Sequence, residues 1–283
     1  MERIFGCIIY DYDELILEDD NSERIAHNTV NTWQGWRGEK EKLDNTRQGK
    51  IAESAISTFY QDKDICYISY DEFRADGFEK HAPFDGLLYT PLCVSEKDFY
   101  MLLDEINDEI AQSGVGQISP QLREKLRAYN VFTVEIKSTR ISIKKIQYSG
   151  FKSYDSFTDK QRLISEICKD DFLTYPKHTR TGDHTWESYC AMVKLRNPAF
   201  SRLNGLALLS AVKDMELEYM DDYYIRVYMD ESNRKVLILG YITRFDMMNP
   251  PIIKKMILPG KSNNALYLSQ PLTKRISIEE LYL

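Results

Sequence analysis

The chain lacks any apolar stretch approaching the roughly 20 residues that a membrane-spanning helix needs, so no such helix is expected. It is also short of cysteine. Five lie far apart, at positions 7, 66, 93, 168 and 190. An odd number without paired spacing does not read as a secreted disulfide framework. The opening stretch, Met1 to Tyr10, has neither a basic leader nor a small-residue cleavage site. Its short apolar run before Asp11 and Asp13 reads as a buried strand rather than a signal peptide. Several motifs are missing. No Gly-Lys-Ser/Thr follows Gly35 and Gly38, which excludes that phosphate-binding loop. No His-Glu-x-x-His and no Gly-x-Ser-x-Gly occur, which argues against a zincin and an α/β-hydrolase. Repeats and low-complexity tracts are lacking too. Basic charge is not in excess: 37 Lys and Arg stand against 44 Asp and Glu, for a net −7. That balance favours solubility and does not advertise a nucleic-acid binder. An enzyme can still confine its basic residues to one cleft.

What is present is a sizeable core. Hydrophobic residues make up 43% of 283 positions, enough for one large domain or two small ones. The pattern predicts a strand at 4–10 and a helix at 46–60, with Asn45 as its N-cap and Ile51, Ala55, Ile56 and Phe59 at helical spacing. Short strands are expected at 65–69 and 84–89, then helices at about 95–112 and 118–129. Val131–Lys137 is the clearest strand. Phe132, Val134 and Ile136 share one face; Val131, Thr133, Glu135 and Lys137 share the other. A helix at 159–168, an apolar helix at 203–216, and strands at 223–229 and 235–243 joined by a turn complete the regular part. With Pro250, Pro251, Pro259 and Pro271, the tail is expected to be irregular with short strands. The expected architecture is α/β: a central mixed sheet flanked by helices. We expect one domain over 1–283, with insertions at about 95–130 and 150–215.

The chemistry concentrates at a few acidic positions. Glu135 and Lys137 are two apart in a strand, so a carboxylate and an ammonium leave the same face of a rigid element. Asp85 lies within Ala-Pro-Phe-Asp-Gly-Leu-Leu-Tyr. A charge in an apolar strand is costly unless paired or bound to a metal. Gly86 beside it permits a bend or a close approach. Glu53 falls on the 46–60 helix. Taken singly, each has a bland reading: a solvated sheet face, a turn, an exposed helix position. Their order, a helix with Glu, then a strand with Asp, then a strand with Glu-x-Lys, is what singles them out.

In that order, Pro83-Phe84-Asp85 and Glu135-Ile136-Lys137, followed by Ser138-Thr139, resemble the motif of the PD-(D/E)xK nucleases, which include most type II restriction endonucleases. The likeness extends over roughly 46–90, 131–140 and 223–283. It implies that Asp85 and Glu135 ligate Mg²⁺, that Lys137 acts on the attacking water, and that Glu53 is an extra metal ligand. It implies a restriction-endonuclease-like fold, hydrolysis of double-stranded DNA, and a cytoplasmic, prokaryotic setting. Cleavage of a palindromic site would call for a homodimer. Two departures stand out. Phe84 separates the proline from Asp85, and Glu135 lies fifty positions after Asp85, so the helices at 95–129 must be inserted between neighbouring strands. A nuclease of this fold without strict sequence preference, and a non-catalytic DNA-binding protein on it, stay open.

Two further groups bear on partners. Arg140, Lys144 and Lys145 follow the Glu-x-Lys strand and could form a phosphate track. Lys177, His178 and Arg180, with aromatic neighbours, suit a DNA-contacting insertion. Cys168, His178, His184 and Cys190 offer tetrahedral zinc donors, but their spacing fits no finger signature, and core cysteines with surface histidines are the simpler reading.

Overall fold

The computed structural model describes residues 1–15, 38–114, 116–177, 185–257 and 264–283. Contacts divide the chain into two compact units. The first comprises Met1–Glu166, Asp221–Tyr241 and Ile276–Leu283; the second comprises Ile167–Met220 and Ile242–Arg275. The expected 150–215 insertion is thus shared: 150–166 belongs to the first unit, and the rest joins 242–275 in the second.

The first unit is an α/β assembly around a seven-stranded mixed sheet of order β1-β2-β8-β7-β5-β4-β3. Its elements in chain order are β1 (Glu2–Ile4), β2 (Cys7–Asp11), α1 (Glu39–Tyr60), β3 (Cys66–Ser69), α2 (Tyr70–Phe73), β4 (Gly86–Tyr89), α3 (Glu96–Gln112), α4 (Pro120–Ala128), β5 (Val131–Arg140), α5 (Ile143–Ser149), α6 (Phe157–Ile167), and, after the second unit's first segment, β7 (Tyr223–Asp230) and β8 (Lys235–Thr243). The pairs β1–β2, β2–β8, β3–β4 and β4–β5 are antiparallel, and β5–β7 is parallel.

Both faces of this sheet are covered, which follows from the alternation in β5. Val134 and Ile136 join Leu88, Ile225 and Val227 in a core against Ala52, Ala55, Ile56 and Phe59 of α1. Val131 and Leu87 join a second core with Leu102, Leu103 and Ile106 of α3 and Leu122 and Leu126 of α4. Burying each large side chain contributes about 1.5–3 kcal/mol. The helices at 95–129 are therefore an insertion between neighbouring strands. Ser95 and Ser119 fix their starts: each hydroxyl accepts from the N–H three residues on.

The expected strand at 4–10 is instead a hairpin. Phe5 and Gly6 both take positive φ, 50° and 70°, and turn the chain between β1 and β2. The helix predicted at 46–60 begins at Glu39, after Gly38, so Asn45 lies inside it and does not cap it. The added turns, Glu39-Lys-Glu-Lys, are good helix formers that carry no apolar periodicity.

The second unit has a three-stranded antiparallel sheet, β6 (Asp171–Thr174), β10 (Asn264–Pro271) and β9 (Ile253–Ile257), in that order. Helices α7 (Trp186–Arg196), α8 (Gly205–Tyr219) and α9 (Arg244–Met247) accompany it. All five cysteines are free. Among the described residues no helix is long and apolar enough to cross a membrane.

Gly86 shows why the β3–β4 pairing tolerates only glycine there. A Cβ at this position would lie 2.4 Å from Cε2 of Tyr67 and 2.7 Å from the main-chain oxygen of Ile68. The ring could swing aside; the carbonyl, held in the strand pairing, could not. We expect Gly86→Ala to lower stability by about 1–3 kcal/mol. A reduced urea midpoint at unchanged m-value would report it.

Candidate active site

Four of the residues singled out from sequence, Glu53, Asp85, Glu135 and Lys137, lie in the first unit, and electrostatic coupling ties them together. Asp85 immediately precedes β4. Its N–H donates to the Val134 carbonyl at 2.9 Å. Its Oδ2 accepts from the Ile136 N–H at 2.5 Å, so a side chain fills an acceptor position beside β5. Burial holds the Asp85 carboxyl well above the usual carboxylate range, and the nearby charges of Glu135 and Glu53 push it further; Lys137 and the Ile136 N–H oppose them. Among the described residues Asp85 has no ion-pair partner; the one hydrogen bond to its carboxylate comes from the main chain.

Glu135 and Lys137 form the pair that strand geometry predicts: Lys137 Nζ donates to Glu135 Oε1. Their side chains are 19% and 36% exposed, so the pair is reachable from solvent. Glu53 reaches the same neighbourhood from α1. Its Oε2 accepts from Lys50 Nζ at 2.6 Å and from Ser69 Oγ at 2.9 Å. Burial raises the Glu53 carboxyl above its ordinary value, opposed by Lys50 and reinforced by Asp71.

Sequence reasoning missed Lys50, Ser69 and Tyr67. Burial would lower the Lys50 ammonium, but Glu53 and Asp71 outweigh burial and hold its pKa above the usual lysine range. Tyr67 donates to the Asp85 main-chain oxygen at 3.4 Å. Burial, with Glu53 and Asp85 adding, keeps its phenol well above its ordinary value. A lysine three residues before a glutamate on a helix is the one signal that could have drawn attention to Lys50. Asp221, just before β7, was missed as well. Its Oδ1 accepts from Arg123 Nη1 at 2.7 Å, which fastens α4 to the sheet. Burial raises its carboxyl, Arg123 opposes, and Glu135 adds to the rise.

The other candidates are dispersed. Arg140 ends β5 and pairs with Glu231. Lys144 is exposed in the first turn of α5, and Lys145 Nζ lies 3.5 Å from the Glu166 carbonyl. Lys177 belongs to the second unit: its N–H donates to Glu216 Oε2 at 2.9 Å, and its ammonium sits 4.7 Å from the Tyr219 ring centroid. His178 and Arg180 lie outside the described residues, as does His184 of the zinc set; Cys168 and Cys190 are buried.

Among the described residues no group of three or more His, Cys, Asp or Glu is gathered to hold a metal ion. Asp85, Glu135 and Glu53 are thus not gathered as such a group; Glu53 is engaged by Lys50 and Ser69. Asp85 and Glu135 remain. Mutually repelling, partly exposed carboxylates are hard oxygen donors whose charge a divalent cation would relieve. One or two carboxylates suffice for Mg²⁺, which keeps several waters. The donor chemistry fits that ion.

Comparison with protein-family models, curated proteins and solved structures gave no match.

The raised carboxyl of Asp85 has a measurable consequence. A folded-state pKa above the unfolded value of about 4 means the folded chain holds the proton more tightly. Its effect on stability is neutral below pH 4 and turns unfavourable as pH rises from there toward the folded value. In EDTA, Asp85→Asn should match wild type near pH 4 and melt higher at pH 8. Adding Mg²⁺ should raise the wild-type melting temperature and leave Asp85→Asn nearly unchanged. Thermal melts across pH, with and without the metal, check both.

Proposed function

We propose that the chain is a Mg²⁺-dependent endonuclease that hydrolyses phosphodiester bonds in double-stranded DNA. One observation carries this reading. Asp85 is pressed against the charges of Glu135 and Glu53 without an ion-pair partner among the described residues, while Lys137 stands beside Glu135. A structural carboxylate would be expected to have its charge met by a cation. This arrangement instead suits a site whose countercharge arrives from outside.

A bound divalent ion supplies charge neutralisation on the phosphate and a hydroxide near neutral pH. The chain's own residues do the rest. Asp85 and Glu135 hold the ion through oxygen donors on or beside adjacent strands, so their spacing is set by the sheet. Lys137, on the same face as Glu135, orients the attacking water and offsets developing charge on the phosphate. Lys50 and Ser69 hold Glu53 in place beside Asp85. The resemblance of Pro83-Phe84-Asp85 and Glu135-Ile136-Lys137 to the PD-(D/E)xK nucleases supports the same assignment, and with it a restriction-type enzyme acting as a two-fold dimer on a palindromic site.

Supercoiled plasmid incubated with the protein and Mg²⁺ should be cut, and EDTA should abolish cutting. Discrete fragments are expected for restriction; a smear would assign a nuclease without sequence preference. Glu135→Ala and Lys137→Ala should each slow cleavage by about a hundredfold or more. If the plasmid stays intact, or if neither change alters the rate, the catalytic reading is lost.

A further inference from the structure

Beside the acidic cluster lies a cation that the motif does not predict. In the parallel pairing of β5 with β7, Lys137 is the partner of Arg226, Glu135 of Tyr224, and Thr139 of Tyr228. Paired residues project from the same face of a sheet, so an ammonium and a guanidinium stand side by side next to Glu135. Arg226 is only 8% exposed. Its Nη2 donates to Thr139 Oγ1 at 2.7 Å and to Tyr228 Oη at 3.3 Å, and its guanidinium carbon lies 4.9 Å from the Tyr228 ring centroid. Its Nε has no acceptor, and no carboxylate of the described residues forms an ion pair with it. Among the described residues, two neutral hydroxyls and an aromatic ring meet this buried positive charge, and no carboxylate does.

A guanidinium so placed is costly. Buried charges are normally paired, and a guanidinium left without an anion forfeits its strongest interactions. Lysine partners are no substitute, since Lys137 carries the same sign. An oxyanion would supply that interaction, and the fork geometry of arginine matches phosphate oxygens in particular. Thr139 and Tyr228 hold the guanidinium from one side. Lys137, 36% exposed, marks the direction from which a ligand arrives.

We propose that Arg226, together with Lys137, forms a phosphate-binding site on the β5–β7 face, taking an oxygen of the nucleic-acid backbone beside the carboxylate pair. The identity of the ligand as a phosphodiester rests on the nuclease reading; the anion site itself does not. Arg226 is then a substrate-binding residue, set beside Lys137 by the strand pairing, with Glu135 in contact with Lys137.

The test uses the full chain and two probes. The first is inorganic phosphate, compared with chloride at equal ionic strength, read by thermal melting. Phosphate should raise the wild-type melting temperature, leave Arg226→Met unchanged and raise Arg226→Lys less than wild type. In phosphate-free buffer Arg226→Met should melt no lower than wild type, because an unpaired buried cation has been removed. The second probe is a fluorescein-labelled DNA duplex in Ca²⁺, read by anisotropy. Arg226→Met should bind about tenfold or more weakly, and inorganic phosphate should compete with the duplex on wild type. Equal protection of wild type and Arg226→Met by phosphate, or protection of neither, would overturn the site. If Arg226→Met fails to fold, Arg226→Lys decides: protection equal to wild type overturns the proposal. Phosphate protection without plasmid cleavage would leave the anion site standing and remove the nuclease reading alone.

Discussion

Like charges held near one another are the constraint around which the first unit is arranged. The antiparallel pairing of β4 with β5 carries Asp85 into the neighbourhood of Glu135, and the packing of α1 on the same sheet brings Glu53 toward both. Neither approach is favourable in itself. It persists because the strands are backed on each face by apolar cores, one under α1 and one under α3 and α4. The cohesion of those cores outweighs the local repulsion. Local repulsion is sustained by burial elsewhere.

Within that field the acids are not equivalent. Glu53 is neutralised by Lys50 and steadied by Ser69; Glu135 is neutralised by Lys137. Among the described residues the Asp85 carboxylate receives a main-chain N–H and no ammonium. Each of two acids thus has a lysine ammonium beside it, while burial and its neighbours' charges raise the carboxyl of Asp85. The asymmetry distinguishes Asp85: it is the acid of the three whose charge meets no ion pair among the described residues.

Much of this could be read in the sequence, for a definite reason. Val131–Lys137 alternates cleanly, so its two faces and the side-by-side placement of Glu135 and Lys137 followed from strand geometry alone. The expected starts of α3 and α4 agree with the structure because Ser95 and Ser119 are strong N-caps. What could not be read depends on pairing across long separations or on exceptions to propensity. Phe5 at positive φ is uncommon for an aromatic residue, so the hairpin between β1 and β2 looked like one strand. The first turns of α1 carry no apolar face, and periodicity alone cannot find such turns. Lys50 and Arg226 look like solvent-facing residues until the partners of their helix and strand are known. The parallel pairing of β5 with β7, which sets Arg226 beside Lys137, joins segments separated by the whole of 141–222 and leaves no local trace.

That same connectivity has a consequence for synthesis. As the chain leaves the ribosome, β5 can pair with β4 at once, but its other edge has no neighbour until β7 emerges, more than eighty residues later. During that interval an edge strand with open hydrogen-bonding groups is presented to solvent, the situation that invites mispairing between chains. The charges of Glu135, Lys137 and Arg140 lie along this strand. Residues that suit the finished site thereby also act as gatekeepers for the unfinished chain.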